Sequence, residues 1–298
     1  MSTIKRNFCD FNCNLHLNSH DIEPNFTYKR SLQLIAIYYS VTIIINIFIS
    51  LVISLIIQSL KSLGIIVGDR LFLSISNTLT YITCIACLVP FCFNILKSDI
   101  NDFIKKPIKS ITIVLMFFLL FWVIDDLYYQ YIQPFIIKTL VNLNVFSIDL
   151  IKDYQTSANQ SGIEDLLKEF TPAVITIPAI VLIGPITEEI IFRKSLFKLL
   201  DKVPCILKIL ISSVAFTLIH IMIPIATILI QLLIKDPTVS SAHLLLELIY
   251  SVGYFIPGIL LGTFYIFTGH NVTSTTIVHI LYNLFLLIDI LTKNTLVS

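Results

Sequence analysis

Seven long apolar segments constrain what this chain of 298 residues can fold into. A helix rises 1.5 Å per residue, so roughly 20 apolar residues cross the hydrocarbon of a bilayer. Hydrophobic residues make up 56% of the chain and charged residues only 13%, whereas about 25% charged residues is usual for soluble domains. The sequence therefore predicts an all-α, polytopic transmembrane helix bundle with about seven to eight spans. The approximate ranges are 31–58, 71–96, 111–126, 172–200, 205–234, 242–268 and 272–291.

Four regions follow from the distribution of polar residues. They are a polar cytoplasmic tail (1–30), N-terminal transmembrane spans (31–133), a loop with an amphipathic helix (134–171) and a C-terminal transmembrane core (172–292). The tail shows no apolar stretch followed by a cleavage site, so no cleavable signal peptide is expected. It could bind a soft metal if it were helical, although its Asn-rich composition favours an unstructured segment. The residues concerned are Cys9, Cys13, His16 and His20.

The basic residues predict how the bundle is oriented. Counting the loops alternately from a cytoplasmic N-terminus places 13 of the 20 Lys and Arg residues inside. The positive-inside rule therefore predicts that the N-terminus is inside. Frequent Ile, Asn and Lys residues favour a bacterial source, hence a bacterial cytoplasmic membrane. The lipid bilayer is the expected surrounding, and a net charge of +1 without a basic patch gives no indication of a nucleic-acid partner.

A short amphipathic helix is expected between the third and fourth spans. Ser161 and Glu164 have the spacing of a capping box that would open it. Its apolar face consists of residues at i, i+3, i+4 and i+7, namely Ile163, Leu166, Leu167 and Phe170. Such a helix should lie against the membrane surface or the bundle, either as a simple connection or as a lid over a substrate entrance.

Two further features of the spans carry predictions. Asp125 and Asp126 end the third span beside tyrosines that are typical of a membrane interface, so both are expected to meet water. Contact with a substrate or a cation is the alternative. In the sixth span, Gly258 and Gly262 lie four residues apart, which favours the close approach of a neighbouring helix.

The acidic pair Glu188 and Glu189 lies inside the fourth span, together with Arg193. An ionisable group in hydrocarbon costs roughly 3 kcal/mol or more, so these three side chains need partners or water. Four residues separate Glu189 from Arg193, which places them on one helix face as an ion pair. Successive helix residues point about 100° apart, so Glu188 is left to face another helix.

Two later spans supply further polar groups. Phe216 and His220 lie four residues apart in the fifth span, and His279 and Asn283 have the same spacing in the seventh. Each pair therefore shares a helix face. A single buried histidine is most often a hydrogen-bonded structural residue. Two of them, on separate apolar helices that follow an acidic pair, indicate a shared site.

Together, a carboxylate, two imidazoles and an amide in an intramembrane cavity can hydrolyse a peptide bond. Buried Glu188 would act as a general base on water, while a histidine orients that water or protonates the leaving amine. A His-Asn pair can donate hydrogen bonds to the oxyanion of a tetrahedral intermediate. Alternatively, Glu188, His220 and His279 would bind zinc and leave one position open for water. The absence of His-Glu-x-x-His leaves both alternatives open.

The chain resembles a known family in three motifs that occur in the family's order. They are Glu188-Glu189-x-x-x-Arg193, Phe216-x-x-x-His220 and His279-x-x-x-Asn283. These motifs are similar to those of the CAAX-protease and bacteriocin-processing (CPBP) family, also called Abi-like, whose intramembrane proteases include the type II CAAX prenyl endopeptidases. The resemblance covers about residues 172–291.

The resemblance implies an endopeptidase that acts on a membrane-associated peptide or lipoprotein, lipidated or of the bacteriocin type. It implies that Glu188 and His220 activate water, that His279 and Asn283 bind the oxyanion, and that Glu189 and Arg193 support the site. Members of the family are described as metalloproteases, and a metal-free, glutamate-based mechanism has also been argued.

Two other functions remain open from the sequence. One is a bacteriocin self-immunity or peptide-binding protein of the same family. The other is a proton-coupled transporter, because buried Glu and His residues also relay protons. Inverted repeats, which are typical of many transporters, are not visible in the sequence.

Overall fold

The computed structural model of the chain describes residues 26–297, with side chains up to residue 292. The tail residues Cys9, Cys13, His16 and His20 lie outside the described residues. Between residues 26 and 297 the chain forms helices and no strands. The helices are α1 (Tyr28–Ser62), α2 (Asp69–Lys105), α3 (Pro107–Asn142), α4 (Ile148–Asp153), α5 (Ala158–Leu166), α6 (Phe170–Leu199), α7 (Cys205–Leu233), α8 (Ser241–Phe267) and α9 (Val272–Val297).

Seven of these helices are long and apolar enough to cross a membrane: α1, α2, α3, α6, α7, α8 and α9. Their outer surfaces carry apolar side chains, and Ile44, Phe48 and Leu55 of α1 are each more than half exposed. Such side chains suit contact with lipid tails. The prediction of an all-α, polytopic transmembrane bundle is confirmed, and the number of spans in the described part of the chain is seven.

Two hydrophobic clusters hold the bundle together. One joins α6 to α1, α2 and α7, with Leu34, Leu88, Ile190 and Phe216 among its buried residues. The other joins α3, α8 and α9. Because α6 packs against α1, α2, α7 and α9, its charged side chains Glu188, Glu189 and Arg193 are buried among helices.

A buried ion pair fixes one end of this arrangement. Lys194 of α6 lies 3.2 Å from an Oδ2 of Asp99 on α2, and both side chains are buried. The same carboxylate accepts a hydrogen bond from the backbone N–H of Val272, the first residue of α9, at 2.9 Å. Three helices are thereby joined at one level of the bundle.

The predicted glycine face on α8 is confirmed. A Cβ atom added to Gly258 would come within 3.0 Å of Cα and Cβ of Ser213 on α7. One added to Gly262 would come within 3.4 Å of Cγ2 of Ile209, also on α7. The two glycines therefore allow the backbones of α7 and α8 to approach closely.

The prediction that both aspartates of the third span meet water is wrong for Asp125. The helix does not end there, because α3 continues through a π-helical turn at Tyr128–Ile132 to Asn142. Asp126 is exposed, whereas Asp125 is buried and its Oδ1 has no hydrogen-bond partner among the described residues. The continuous helix turns Asp125 toward α9, where it lies beside Tyr282.

The predicted start of the amphipathic helix is also wrong. The N-cap of α5 is Ser157 and not Ser161, and its side chain accepts a hydrogen bond from the backbone N–H of Gln160. Ser157 and Ser161 lie one turn apart, so the periodicity of the apolar face could not distinguish them. Leu166 and Leu167 are buried as expected, but Phe170 begins α6 and is 85% exposed.

Candidate active site

Two π-helical segments flank the acidic pair in α6. They cover Ala179–Ile183 and Ile190–Ser195, and a short α-helical stretch, Gly184–Glu189, lies between them. Segments of this kind occur frequently at functional sites. Pro185 favours the first one, because it has no N–H and cannot donate to a preceding carbonyl.

The first π segment leaves the carbonyl of Ile180 available for another helix. The N–H of Gly184 donates to the oxygen of Ala179, and Pro185 has no N–H to donate. Asn283 of α9 donates its Nδ2 to the Ile180 carbonyl at 2.8 Å. An amide carries two N–H groups, so this bond fixes Asn283 and leaves its second N–H for another acceptor.

Glu189 and Arg193 form a fully buried ion pair, with Oε2 of Glu189 3.3 Å from Nε of Arg193. The guanidinium also donates from Nη1 to Oγ of Ser212 at 2.9 Å. It lies over the ring of Phe216, with Cζ 5.3 Å from the ring centroid. These contacts connect α6 to α7 and hold Arg193 behind the site, where solvent does not reach it.

His279 lies between the two glutamates. Its Nδ1 is 3.0 Å from Oε1 of Glu189, and its Nε2 is 3.7 Å from Oε2 of Glu188. Glu189 therefore contacts both Arg193 and His279, one with each oxygen. The sequence indicated only the first of these contacts, because helical spacing describes neighbours within a helix and not across the bundle.

His220 of α7 is held by aromatic rings. Its imidazole is stacked on Tyr254 of α8, with ring centroids 4.5 Å apart and an interplanar angle of 12°. Phe216 contacts the imidazole edge-on, with the two ring centroids 5.0 Å apart. The Nε2 atom is buried and has no hydrogen-bond partner among the residues that the structure describes. No motif or spacing in the sequence distinguishes Tyr254 from the other tyrosines, of which the chain has 12 in all.

A cavity of about 420 Å³ brings the predicted groups together. Glu188, His220, His279 and Asn283 all line it, as does Phe216. Glu189 and Arg193 are not among the lining residues and lie buried behind them. Its volume is within the range of pockets that bind small molecules or short peptide segments.

The N-terminal part of α5 covers this cavity. Ser157, Asn159 and Gln160 line it from that side. The backbone N–H of Ala158 donates to Oε2 of the fully buried Glu247 on α8 at 3.1 Å. Tyr154 donates its hydroxyl to the same oxygen, and burial raises the pKa of Tyr154 well above its ordinary value. A negative charge at the N-terminus of a helix is stabilising, so Glu247 fixes this end of α5.

An arginine of α2 holds the other end of α5. Arg70 donates from Nε and Nη2 to the two carboxylate oxygens of Asp165, both at 2.8 Å. Its Nη1 contacts Glu169 at 2.5 Å. These hydrogen bonds from Arg70 lower the pKa of Asp165 to about 2. The geometry is bidentate, which is the strongest form of an exposed ion pair.

Comparison with known proteins bears on the C-terminal segment that contains the three motifs. Residues 170–285 match the family model described as type II CAAX prenyl endopeptidase Rce1-like. The match runs from the first residue of α6 into α9 and includes all three motifs. This segment is therefore similar to the CPBP/CAAX family of intramembrane proteases. No curated protein and no solved structure matches the chain.

The match confirms the resemblance seen in the sequence, and the matched family consists of CAAX intramembrane endopeptidases, which are hydrolases. The helices that match the CAAX endopeptidase model supply every predicted site residue. α1, α2 and α5 lie outside that match, yet they contribute to the cavity through Tyr38, Tyr81 and Asn159. The cavity is therefore completed by parts of the chain that the family model does not include.

The zinc set considered from the sequence, Glu188, His220 and His279, does not fit the arrangement of these side chains. Among the described residues, no group of three His, Cys, Asp or Glu side chains is placed to hold a metal ion. His279 has the carboxylate partner that is usual for a metal-binding histidine, namely Glu189. His220 lacks one, because its ring is oriented by stacking on Tyr254 and not by a carboxylate.

Proposed function

We propose that this chain hydrolyses a peptide bond in a membrane-associated substrate, with a water molecule activated by Glu188. The observation that supports this most directly is the separation of the two carboxylates. Glu188 faces the cavity, whereas Glu189 is occupied by Arg193 and His279. A general base must reach the water that it activates, and Glu188 is the carboxylate of the pair that can.

In the proposed first step, water lies between Glu188 and His220. The carboxylate of Glu188 takes a proton from the water, and the water oxygen attacks the carbonyl carbon of the peptide. His220 orients the water through Nε2, the nitrogen that has no protein partner among the described residues. The proton held by Glu188 then passes to the leaving amine as the C–N bond breaks, which restores the carboxylate.

The negative charge of the tetrahedral intermediate falls on the carbonyl oxygen. We assign its stabilisation to the second N–H of Asn283, since the first is bound to the Ile180 carbonyl. We assign a second donor to Nε2 of His279, whose ring is held in place by the contact between Nδ1 and Glu189. A preorganised donor of this kind typically raises kcat by a factor of about 10²–10³.

The proposed substrate is a membrane-associated peptide or lipoprotein, lipidated or of the bacteriocin type. The cavity lies among membrane-spanning helices and has a mixed lining of tyrosine, amide and aliphatic side chains. Such a lining suits an extended peptide with apolar side chains. We further propose a bacterial cytoplasmic membrane with the N-terminus inside, as the distribution of Lys and Arg favours.

Comparative peptidomics of membranes tests this function. Membranes containing the wild-type chain should accumulate cleaved peptides that are absent when the chain carries Glu188→Gln. Asp126→Asn is the matched control, because it removes an exposed carboxylate from another span. Cleavage that persists in an inserted Glu188→Gln protein would refute the role of Glu188.

The same variants separate the alternatives. A bacteriocin self-immunity or peptide-binding protein would protect cells equally well with Glu188→Gln. A proton-coupled transporter would show ion-coupled uptake in vesicles and no cleaved peptides. Metal analysis of the purified protein, with and without His220→Ala, would reveal a bound zinc ion.

A further inference from the structure

A tyrosine outside the three motifs contacts both the candidate water-activating histidine and the helix that covers the cavity. Tyr254 of α8 lies parallel to the imidazole of His220, with the ring centroids 4.5 Å apart. Its hydroxyl lies 2.9 Å from Oγ of Ser157 and accepts a hydrogen bond from Nδ2 of Asn159 at 3.1 Å. Both of those residues are at the start of α5 and line the cavity.

The ring of Tyr254 replaces the hydrogen bond that usually orients a functional histidine. A catalytic imidazole is commonly fixed by a carboxylate or carbonyl on its second nitrogen. His279 has such a partner in Glu189. The plane of His220 is set instead by Tyr254 on one face and by the edge contact of Phe216, which leaves Nε2 without a protein partner among the described residues and available to the water.

The orientation of the Tyr254 ring depends on the position of α5, because its hydroxyl is hydrogen-bonded to that helix. Tyr254 has two partners on α5, and neither belongs to the family segment 170–285. Movement of α5 away from the cavity would break both hydrogen bonds and leave the tyrosine free to rotate. The stacked geometry is therefore complete only while α5 covers the cavity.

We infer that Tyr254 is a positioning residue that orients His220 and couples this orientation to the seating of α5. The inference rests on the proposed function for the role of His220 in catalysis, but the physical coupling is independent of it. Tyr254 does not touch the reacting atoms in this assignment. It acts by holding the imidazole plane, so its loss should lower kcat and leave KM nearly unchanged.

Three variants separate the parts of this arrangement. Tyr254→Phe keeps the stacked ring and removes the hydroxyl, and Asn159→Ala removes one partner of that hydroxyl from α5. Tyr254→Leu removes the ring itself. We expect kcat to fall about tenfold in the first two and about a hundredfold in Tyr254→Leu, in line with the cost of a misplaced catalytic group. KM should change less than about twofold.

A double variant tests whether the two residues act together. Because Tyr254→Phe and Asn159→Ala break the same hydrogen bond, their combination should lower kcat no further than Tyr254→Phe alone. Tyr131→Phe is the control, since Tyr131 is 67% exposed and is not among the cavity residues. Multiplicative losses in the double variant would contradict the coupling.

A second readout does not depend on protease activity. Carbethoxylation of His220 by diethyl pyrocarbonate, measured by mass spectrometry, reports how well the ring is covered. We expect faster modification in Tyr254→Leu than in wild type, with Tyr254→Phe close to wild type. Unchanged modification of His220 in Tyr254→Leu would overturn the positioning role, even if no substrate were ever cleaved. If His220 is modified faster in Tyr254→Leu but the wild-type chain cleaves no peptide, the proposed function is refuted and the positioning role of Tyr254 is not.

Discussion

The Nδ1 atom of His279 lies 3.0 Å from Oε1 of Glu189, so the second carboxylate of the acidic pair holds a histidine from another span. Glu189 thus connects α6 to α9 while its other oxygen faces Arg193. The two adjacent glutamates differ in what surrounds them, and this difference leads to separate expectations for their variants.

Glu189→Gln should reduce stability as well as activity. It leaves the guanidinium of Arg193 fully buried without its counter-charge, and breaking a buried pair in this way costs about 3–5 kcal/mol. Glu188→Gln should abolish cleavage with little change in stability, because Glu188 is not paired with the buried guanidinium and its contact with Nε2 of His279 is long, at 3.7 Å. Thermal unfolding in detergent micelles, measured beside peptide cleavage, distinguishes the two. Equal unfolding temperatures for both variants would contradict the division of roles.

Asn283→Ala should lower kcat by about 10²–10³ with little effect on KM, because it removes a donor proposed for the oxyanion. Asn283→Asp should not rescue activity, since a carboxylate cannot donate to the Ile180 carbonyl that positions the amide. Steady-state kinetics on a fluorogenic peptide give both parameters. If Asn283→Ala raises KM and leaves kcat intact, the side chain binds substrate in the ground state and not the oxyanion.

Gly253→Ala should disturb the cavity through Tyr129. An added Cβ would lie 2.0 Å from the hydroxyl oxygen of Tyr129 and 2.9 Å from its Cζ, so that ring, which lines the cavity, must move. We expect reduced cleavage, with partial recovery in the double variant that also carries Tyr129→Phe. Gly162→Ala is the control because its Cβ would meet nothing within 4 Å. Normal kinetics for Gly253→Ala would show that the position of Tyr129 does not matter.

Arg70→Ala should loosen α5, and Arg70→Lys should restore the contact only in part because it loses the bidentate geometry. Hydrogen exchange of the α5 amides should become faster in Arg70→Ala. Lys152→Ala provides the comparison, since its contact with Asp149 is an exposed pair at 3.7 Å. Unchanged exchange in Arg70→Ala would show that Glu247 and Tyr254 suffice to hold α5.

The contact between Arg70 and Asp165 also predicts how α5 responds to pH. The pKa of Asp165 is lowered to about 2, from an ordinary value of about 3.9. Its stabilising contribution is therefore complete above about pH 4 and is lost only as the pH falls through about 2. Exchange rates of the α5 amides, corrected for intrinsic pH dependence, should show constant protection between about pH 5 and 8. A loss of protection within that range would implicate another titrating group.

The spans, the glycine face and the three motifs could be predicted because each depends on residues close together in the sequence. The length of an apolar run sets a span, and a spacing of four residues sets a shared face. The start of α5 could not be fixed in this way, because Ser157 and Ser161 are equally spaced for capping. The choice depends on Glu247, which is distant in sequence and binds the N–H of Ala158.

Contacts between helices account for the rest. Nothing in the sequence indicates that Tyr254 faces His220, or that Asp125 turns inward beside Tyr282. Both depend on how α3, α7, α8 and α9 rotate about their axes when they pack. The predicted ion pair of Glu189 was local, but its contact with His279 required the packing of α9 on α6.

The two π segments of α6 set the angular phase of the acidic pair. A π turn accommodates one more residue than an α turn would, so each segment shifts the following side chains around the helix axis. Glu188 and Glu189 lie between the two shifts. The direction in which they point is therefore decoupled from the orientation of both helix ends. Because both insertions have the same sense, the two shifts add, so the faces that α6 presents before Ala179 and after Ser195 are set separately from the face that carries the acidic pair.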